Sequence, residues 1–316
     1  MSVSIIRYRD RAEWLDGRKG GIGSSEVATI LGVNEYETPY QLWRRKKGLD
    51  PEQPENIYMK AGHILEDAVS RYFADETGAE IIKRSADDFI VFNDMRPYLR
   101  VSPDRTLWMP GKTHNEANKG ILECKTTQLE VSPDDVPQRW FVQLQYQLGA
   151  AEKNFGALAW LTRGLEFGYA VYDFDPEFFK WIIEECDRFW TDYIVGDGVP
   201  DNMSVEDIAI RYPRSAAGKS VEATEEISDL AVELLEAKAA QKEAETRVDE
   251  LSAKIKLFMG DAEILTYGGR TLATWKTGKD KEVFDIRAFE AQHGALMTKY
   301  MVPMPGNRTF LLKKQK

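Results

Sequence analysis

The sequence predicts an α+β fold: a central mixed sheet flanked by helices, extended at its C-terminal side by a long helix and a small α/β appendage. Three observations lead there. Apolar residues recur at helical spacing through the first 78 positions. Segments of β-branched and aromatic residues then crowd together between residues 80 and 127, and a helix, a strand pair and another helix follow. Beyond Tyr212 the composition changes to a long helical stretch without Gly or Pro, which marks a second unit.

Taken in order, residues 10–47 read as helical. Residues 24–31 open on serines that cap helix N-termini, and Gly32 supplies a stop. A second helix is expected over about 55–78, where Leu65, Val69, Tyr72 and Phe73 form an apolar stripe. Strands are expected at 81–82, 89–92 and 98–101, a loop at 110–120, and a strand at 121–127. A helix over 137–151, a strand pair at 157–162 and 167–174, and an amphipathic helix over 177–195 complete the first domain, residues 1–213. In the second, residues 214–316, a linker at 213–220 leads into a helix over about 222–259. Its apolar positions alternate at spacings of three and four from Ile227 to Phe258, a heptad seam that calls for a coiled-coil partner or for packing back on its own chain. A hairpin turning at Gly268-Gly269, a short helix over 285–292 and a last strand at 308–312 follow.

Composition excludes several classes. Hydrophobic residues make up 43%, enough for a packed core, and no apolar run approaches the roughly 20 residues that span a bilayer. Two cysteines are too few for a disulfide scaffold or a four-thiolate metal site, which implies a reducing, cytoplasmic setting. The net charge of −10 runs against duplex binding, although a site lined with metal-binding carboxylates is acidic until cations arrive.

The most informative local pattern is Asp104 after Ser102-Pro103, followed by Glu123-Cys124-Lys125. Alternation along a strand puts Glu123 and Lys125 on one face, and a hairpin across the 110–120 loop would bring Asp104 beside them. Two carboxylates and an ammonium around one point suit phosphodiester hydrolysis. Carboxylate oxygens hold Mg²⁺, for which Mn²⁺ can substitute, and the lysine can hold a hydroxide or offset charge on the phosphate. The backbone carbonyl of Cys124 would face the same site. The same pattern also arises as a surface ion pair, worth about 0–1 kcal/mol and marking nothing. Against that reading, Glu123 interrupts an apolar strand, where a charge needs a reason.

These residues stand in a longer series. Trp14 to Arg18 and Ile22 to Glu26, then Ala61 to Glu66, Ser102-Pro103-Asp104, Glu123-Cys124-Lys125 and Gln143 to Tyr146 follow in the order of the lambda exonuclease and YqaJ-like viral recombinase family, a branch of the PD-(D/E)XK nuclease superfamily. The chain resembles that family over about residues 10–195. The resemblance implies a PD-(D/E)XK core, metal-binding Asp104 and Glu123, catalytic Lys125, Glu66 reaching the metal directly or through water, and Gln143 placing the attacking water. It makes Arg18 and Ser25 the grip on a DNA 5′-phosphate, with Asp94 and Gln145 as further candidates near the site. The activity implied is a metal-dependent 5′→3′ exonuclease on double-stranded DNA ends, leaving 3′ single strands for annealing-type recombination. The family also implies a homo-oligomer, usually a trimeric ring, a single-strand annealing protein as partner, and a phage or prophage origin in a bacterial cell. Other readings are a PD-(D/E)XK endonuclease or RecB-like nuclease, and an inactive DNA-end-binding or coiled-coil interaction protein.

Overall fold

The computed structural model describes residues 3–50, 56–82, 89–162, 166–304 and 306–313. The chain divides into two compact units, Met1–Ile210 and Arg211–Lys316.

The first unit opens with β1 (Val3–Arg7), α1 (Arg11–Lys19), β2 (Ile22–Gly23), α2 (Ser24–Ile30) and α3 (Pro39–Lys46). Local chemistry sets these boundaries. Asp10 accepts from the Glu13 N–H at the start of α1, Thr38 and Gln41 cap α3 reciprocally, and Gly32 turns the chain out of α2 at φ +71°. The stripe-bearing helix is α4 (Ile57–Thr77), capped by Asn56 and ended by Gly78 in the left-handed conformation; Glu55, near its expected start, lies outside the described residues. Then come β3 (Glu80–Ile82), β4 (Phe89–Asn93), β5 (Arg96–Val101), β6 (Arg105–Trp108), β7 (Lys119–Thr127), α5 (Gln138–Ala150), β8 (Phe155–Thr162), β9 (Glu166–Asp173), α6 (Pro176–Arg188) and α7 (Val205–Arg211). The predicted helix at 177–195 is two pieces, because α6 passes at Phe189–Val195 into a π-helical turn.

The strands form two sheets, in the orders β1-β4-β5-β2 and β3-β6-β7-β8-β9. The larger is mixed: β7 and β8 run parallel while its other pairs are antiparallel. Parallel neighbours require a crossover, and α5 provides it. This helix is buried along nearly its whole length. Trp140, Leu144 and Leu148 join one core, and the hydroxyl of Tyr146 accepts from the Arg100 N–H at 3.1 Å and donates to the Ile22 carbonyl at 2.7 Å. That hydroxyl ties the two strands of the parallel β2–β5 pair to the same helix. On the opposite face of the larger sheet, Val69 and Phe73 of α4 pack with Leu107, Leu122 and Leu161.

The second unit contains α8 (Glu225–Met259), the hairpin of β10 (Ile264–Tyr267) and β11 (Arg270–Thr274), and α9 (Ile286–Tyr300). Gly268 and Gly269 both take positive φ, as the hairpin turn needs. Two expectations are corrected. Helix α9 runs a turn and more beyond residue 292, across a break at His293, and residues 308–312 form no strand. Among the described residues, the sheet here consists of β10 and β11. Among the described residues, no helix is long and apolar enough to cross a membrane.

Leu122 is fully buried on β7, whereas Leu257 on α8 is 86% exposed. In urea unfolding, Leu122→Ala is expected to cost about 2–5 kcal/mol and Leu257→Ala less than about 0.5 kcal/mol. Equal costs would contradict this account of the core.

Candidate active site

Between α1, α2, α4, α5, β7 and the segment 102–104 that leads into β6 lies a cleft of about 520 Å³. Its floor is the end of β7. Glu123 is 4% exposed there, and its charge is met on every side. Lys125, two residues on and on the same face, donates to Glu123 Oε1 at 2.7 Å and to Gln143 Oε1 at 2.8 Å. The Gln143 amide also donates to Glu123 Oε1, and Gln147, one helical turn later, donates to Oε2 at 2.8 Å. A carboxylate buried without such partners would cost several kcal/mol.

Asp104 enters from the start of β6. Its Oδ2 accepts from the Cys124 N–H at 2.8 Å, just past the end of the β6–β7 ladder at Arg105 and Leu122. The N–H and C=O of one strand residue point to the same side, so the Cys124 carbonyl is directed along that edge as well. Burial, then the neighbouring charges of Glu123 and Glu66, hold the Asp104 carboxyl well above the usual carboxylate range, against the pull of Lys125. Glu66 faces the cleft from α4, but its carboxylate is engaged by Arg105, whose other amino group reaches Asp67 at 2.6 Å.

The remaining wall comes from α1 and the N-terminus of α2. Arg18 donates to Ser25 Oγ at 3.4 Å and lies over the Trp14 ring, 4.8 Å from its centre. Ser24 accepts from Gln147 at 3.2 Å, which joins this wall to the floor. Behind it, Glu26 is buried and accepts from the Gly23 N–H at 2.8 Å, from Arg45 at 2.9 Å and from Lys46 at 2.7 Å. Burial pushes its carboxyl up, but Lys46 and Arg45 overcome that and hold it below its ordinary value.

The cleft therefore gathers Glu66, Asp104, Glu123, Cys124, Lys125, Gln143, Arg18 and Ser25. Two candidates fall elsewhere. Asp94 sits in the turn between β4 and β5 and accepts from Ser4 Oγ at 2.6 Å, outside the cleft lining. Gln145 points away from Gln143 around α5: it donates to the Asp173 carbonyl and accepts from the Asp175 N–H, both at 2.9 Å, and so fastens the turn from β9 to α6. Sequence reasoning missed Arg105 and the part played by Gln147. The four-residue spacing from Gln143 was the available signal for Gln147; nothing local announced Arg105.

Among the described residues, no three His, Cys, Asp or Glu side chains gather closely enough to enclose an ion by themselves. Mg²⁺ does not need such a cage, since it binds through one or two carboxylates and keeps water and substrate oxygens. Asp104 and Glu123 fit that requirement, and the Asp104 carboxyl, raised by burial first and by the charges of Glu123 and Glu66 second, is placed where a cation would offset both. The sign of the consequence follows. A carboxyl raised on folding favours the protonated folded state, so stability falls as pH climbs from the ordinary Asp range, near 4, toward the raised value. In chelator at pH 8, Asp104→Asn should unfold at higher urea than the parent and lose part of the pH slope. A lower midpoint would overturn the assignment of strain to this carboxylate.

Residues 13–154 match the family model for the YqaJ-like viral recombinase domain. The Bacillus subtilis (strain 168) protein YqaJ is 30% identical over 281 residues, covering 84% of this chain and 83% of its own. Among solved structures, LHK-Exo, an alkaline exonuclease from Laribacter hongkongensis, in complex with dAMP is 16% identical at a TM-score of 0.46, covering 58% of this chain and 93% of that one. A phage-related exonuclease from Haemophilus somnus 129PT is 10% identical at 0.41, covering 55% and 93%. By the extent of the Bacillus match and the position of the domain model over the cleft-forming residues, this chain belongs to the YqaJ-like viral recombinase family.

Proposed function

We propose that the first unit is a divalent-metal-dependent nuclease of the PD-(D/E)XK type, acting as a 5′→3′ exonuclease on double-stranded DNA ends. The observation that carries this reading is the meeting of Asp104, Glu123, Lys125 and Gln143 in one cleft with Arg18 and Ser25 on its opposite wall. Asp104 and Glu123, with the Cys124 carbonyl, would hold Mg²⁺ or Mn²⁺, and Glu66 would join them through water or after leaving Arg105. A cation held there would polarise the phosphoryl group and acidify a bound water.

The chain's own groups supply the rest. Lys125 and Gln143 bond to each other and to Glu123, so a water bound beside the Lys125 ammonium would be oriented by the Gln143 amide, and the positive charge would favour its hydroxide form once its proton has passed to solvent. Arg18 presents a planar fork suited to a terminal phosphate, and the Ser25 hydroxyl adds a donor beside it. A phosphate grip at a fixed distance from the acids turns hydrolysis at any bond into hydrolysis counted from an end. The product would be a 3′ single strand, the substrate of a single-strand annealing protein, and the family resemblance adds a homo-oligomeric, trimeric ring around the DNA.

Linear and closed circular plasmid with Mg²⁺ test the reading. The linear form should be degraded and the closed circle spared; rapid cutting of the circle would make the protein an endonuclease. Lys125→Ala should lower cleavage on the order of 10²–10³-fold or more while DNA binding persists; a fully active variant would refute the assignment. Arg18→Ala should slow digestion of 5′-phosphorylated ends more than of 5′-hydroxyl ends. Equal loss on both ends would remove the phosphate role.

A further inference from the structure

The nuclease reading makes no use of α8. This helix of 35 residues carries a heptad seam that stays open: Leu230 is 51% exposed, Val248 60% and Phe258 81%. Its more sheltered residues, Ser228, Ala231, Leu235, Ser252 and Met259, lie along one flank of the seam and not in it. The a positions of this seam are Ile227, Leu234, Gln241, Val248 and Ile255, and its d positions are Leu230, Ala237, Ala244, Leu251 and Phe258, so large apolar side chains fill both ends and small or polar ones the middle.

We propose that α8 pairs with α8 of a second copy of this chain as an antiparallel coiled coil. Orientation follows from the side chains. In a parallel, in-register pair, Ala237, Gln241 and Ala244 would each meet their own counterpart, stacking three weak layers in succession. Only Glu233 and Lys238 would then make an opposite-charge contact across the flanks. The antiparallel pair sets Leu230 against Ile255 and Leu234 against Leu251 of the second copy, and Ala237 against the bulkier Val248. On the flanks Glu233 comes beside Lys254, and Lys238 beside Glu245, with no like-charged neighbours. The acidic first half, with Glu225, Glu226, Asp229 and Glu236, is kept away from its own copy, and the two helix dipoles run head to tail. The contact is isologous and closes at two copies, whatever contacts the first unit makes for itself.

Disulfide trapping in the full-length chain tests this. Leu234→Cys and Leu251→Cys proteins, oxidised separately and after co-expression, are run on a non-reducing gel against the unaltered chain, which controls for half-buried Cys124 and buried Cys186. The covalent dimer is expected from the co-expressed pair at about ten times the yield of either protein alone. Dimer from either single variant at a yield matching the pair, or none from the pair, overturns the proposal. Leu230→Glu, on a side chain exposed in the single chain, should halve the light-scattering mass at unchanged helical content. An unchanged mass overturns the proposal independently of nuclease activity.

Discussion

The buried carboxylate of Glu123 is the constraint around which the first unit is built. A charge near the middle of a mixed sheet must be given partners, and the parallel pairing of β7 with β8 decides where they come from. A parallel pair needs a crossover, and the crossover helix α5 lies over the strand it has just left. Gln143 and Gln147 on one face of α5 thus reach Glu123 from above while Lys125 reaches it from within the strand. Fold and chemistry are the same arrangement here. The topology that covers the sheet with a helix also delivers the amides that make a buried acid tolerable.

A second buried acid plays a similar part in the opposite wall. Glu26 collects a backbone N–H, Arg45 and Lys46 beneath the N-terminus of α2, and Gln147 bridges from the Glu123 cluster to Ser24. The cleft is therefore lined by groups whose positions are set by electrostatic satisfaction on both sides. Asp104 is the exception. Its strongest partner is one N–H, and its neighbours include two acids, so it carries the tension of the site. Such strain, relieved when a counter-charge arrives, is common where affinity for a cation must be built into a folded protein.

Much of this was legible because it rests on local rules. The Gly78 end of α4, the Gly268-Gly269 turn, and the shared face of Glu123 and Lys125 follow from helix-stop chemistry, positive φ and strand alternation. What was missed depends on contacts far apart in sequence. The short strand β1 has no strong pattern of its own and exists by pairing with β4, some ninety residues away. Asp94 lies outside the cleft lining, and its partner Ser4 lies on that unforeseen strand. Arg105 follows Asp104 directly, and its function depends on Glu66 and Asp67 arriving from another helix. Gln145 and Gln143 differ by two positions on a helix, about 200° of rotation, so one faces the acids and the other the β9–α6 turn.

The π-helical turn at Phe189–Val195 carries one more implication. Its widened winding presents the carbonyls of Tyr193, Ile194 and Gly196 to the Trp43 indole and the Lys47 ammonium, which fastens α3 to the end of α6 through main-chain atoms. Replacing side chains along the turn leaves those oxygens where they are. Removing a single residue would close the wide turn into an ordinary helical one, in which each carbonyl is taken by the N–H four residues on, and would withdraw those oxygens from Trp43 and Lys47. Deletions and insertions should therefore be far more damaging in this short segment than exchanges of one residue type for another.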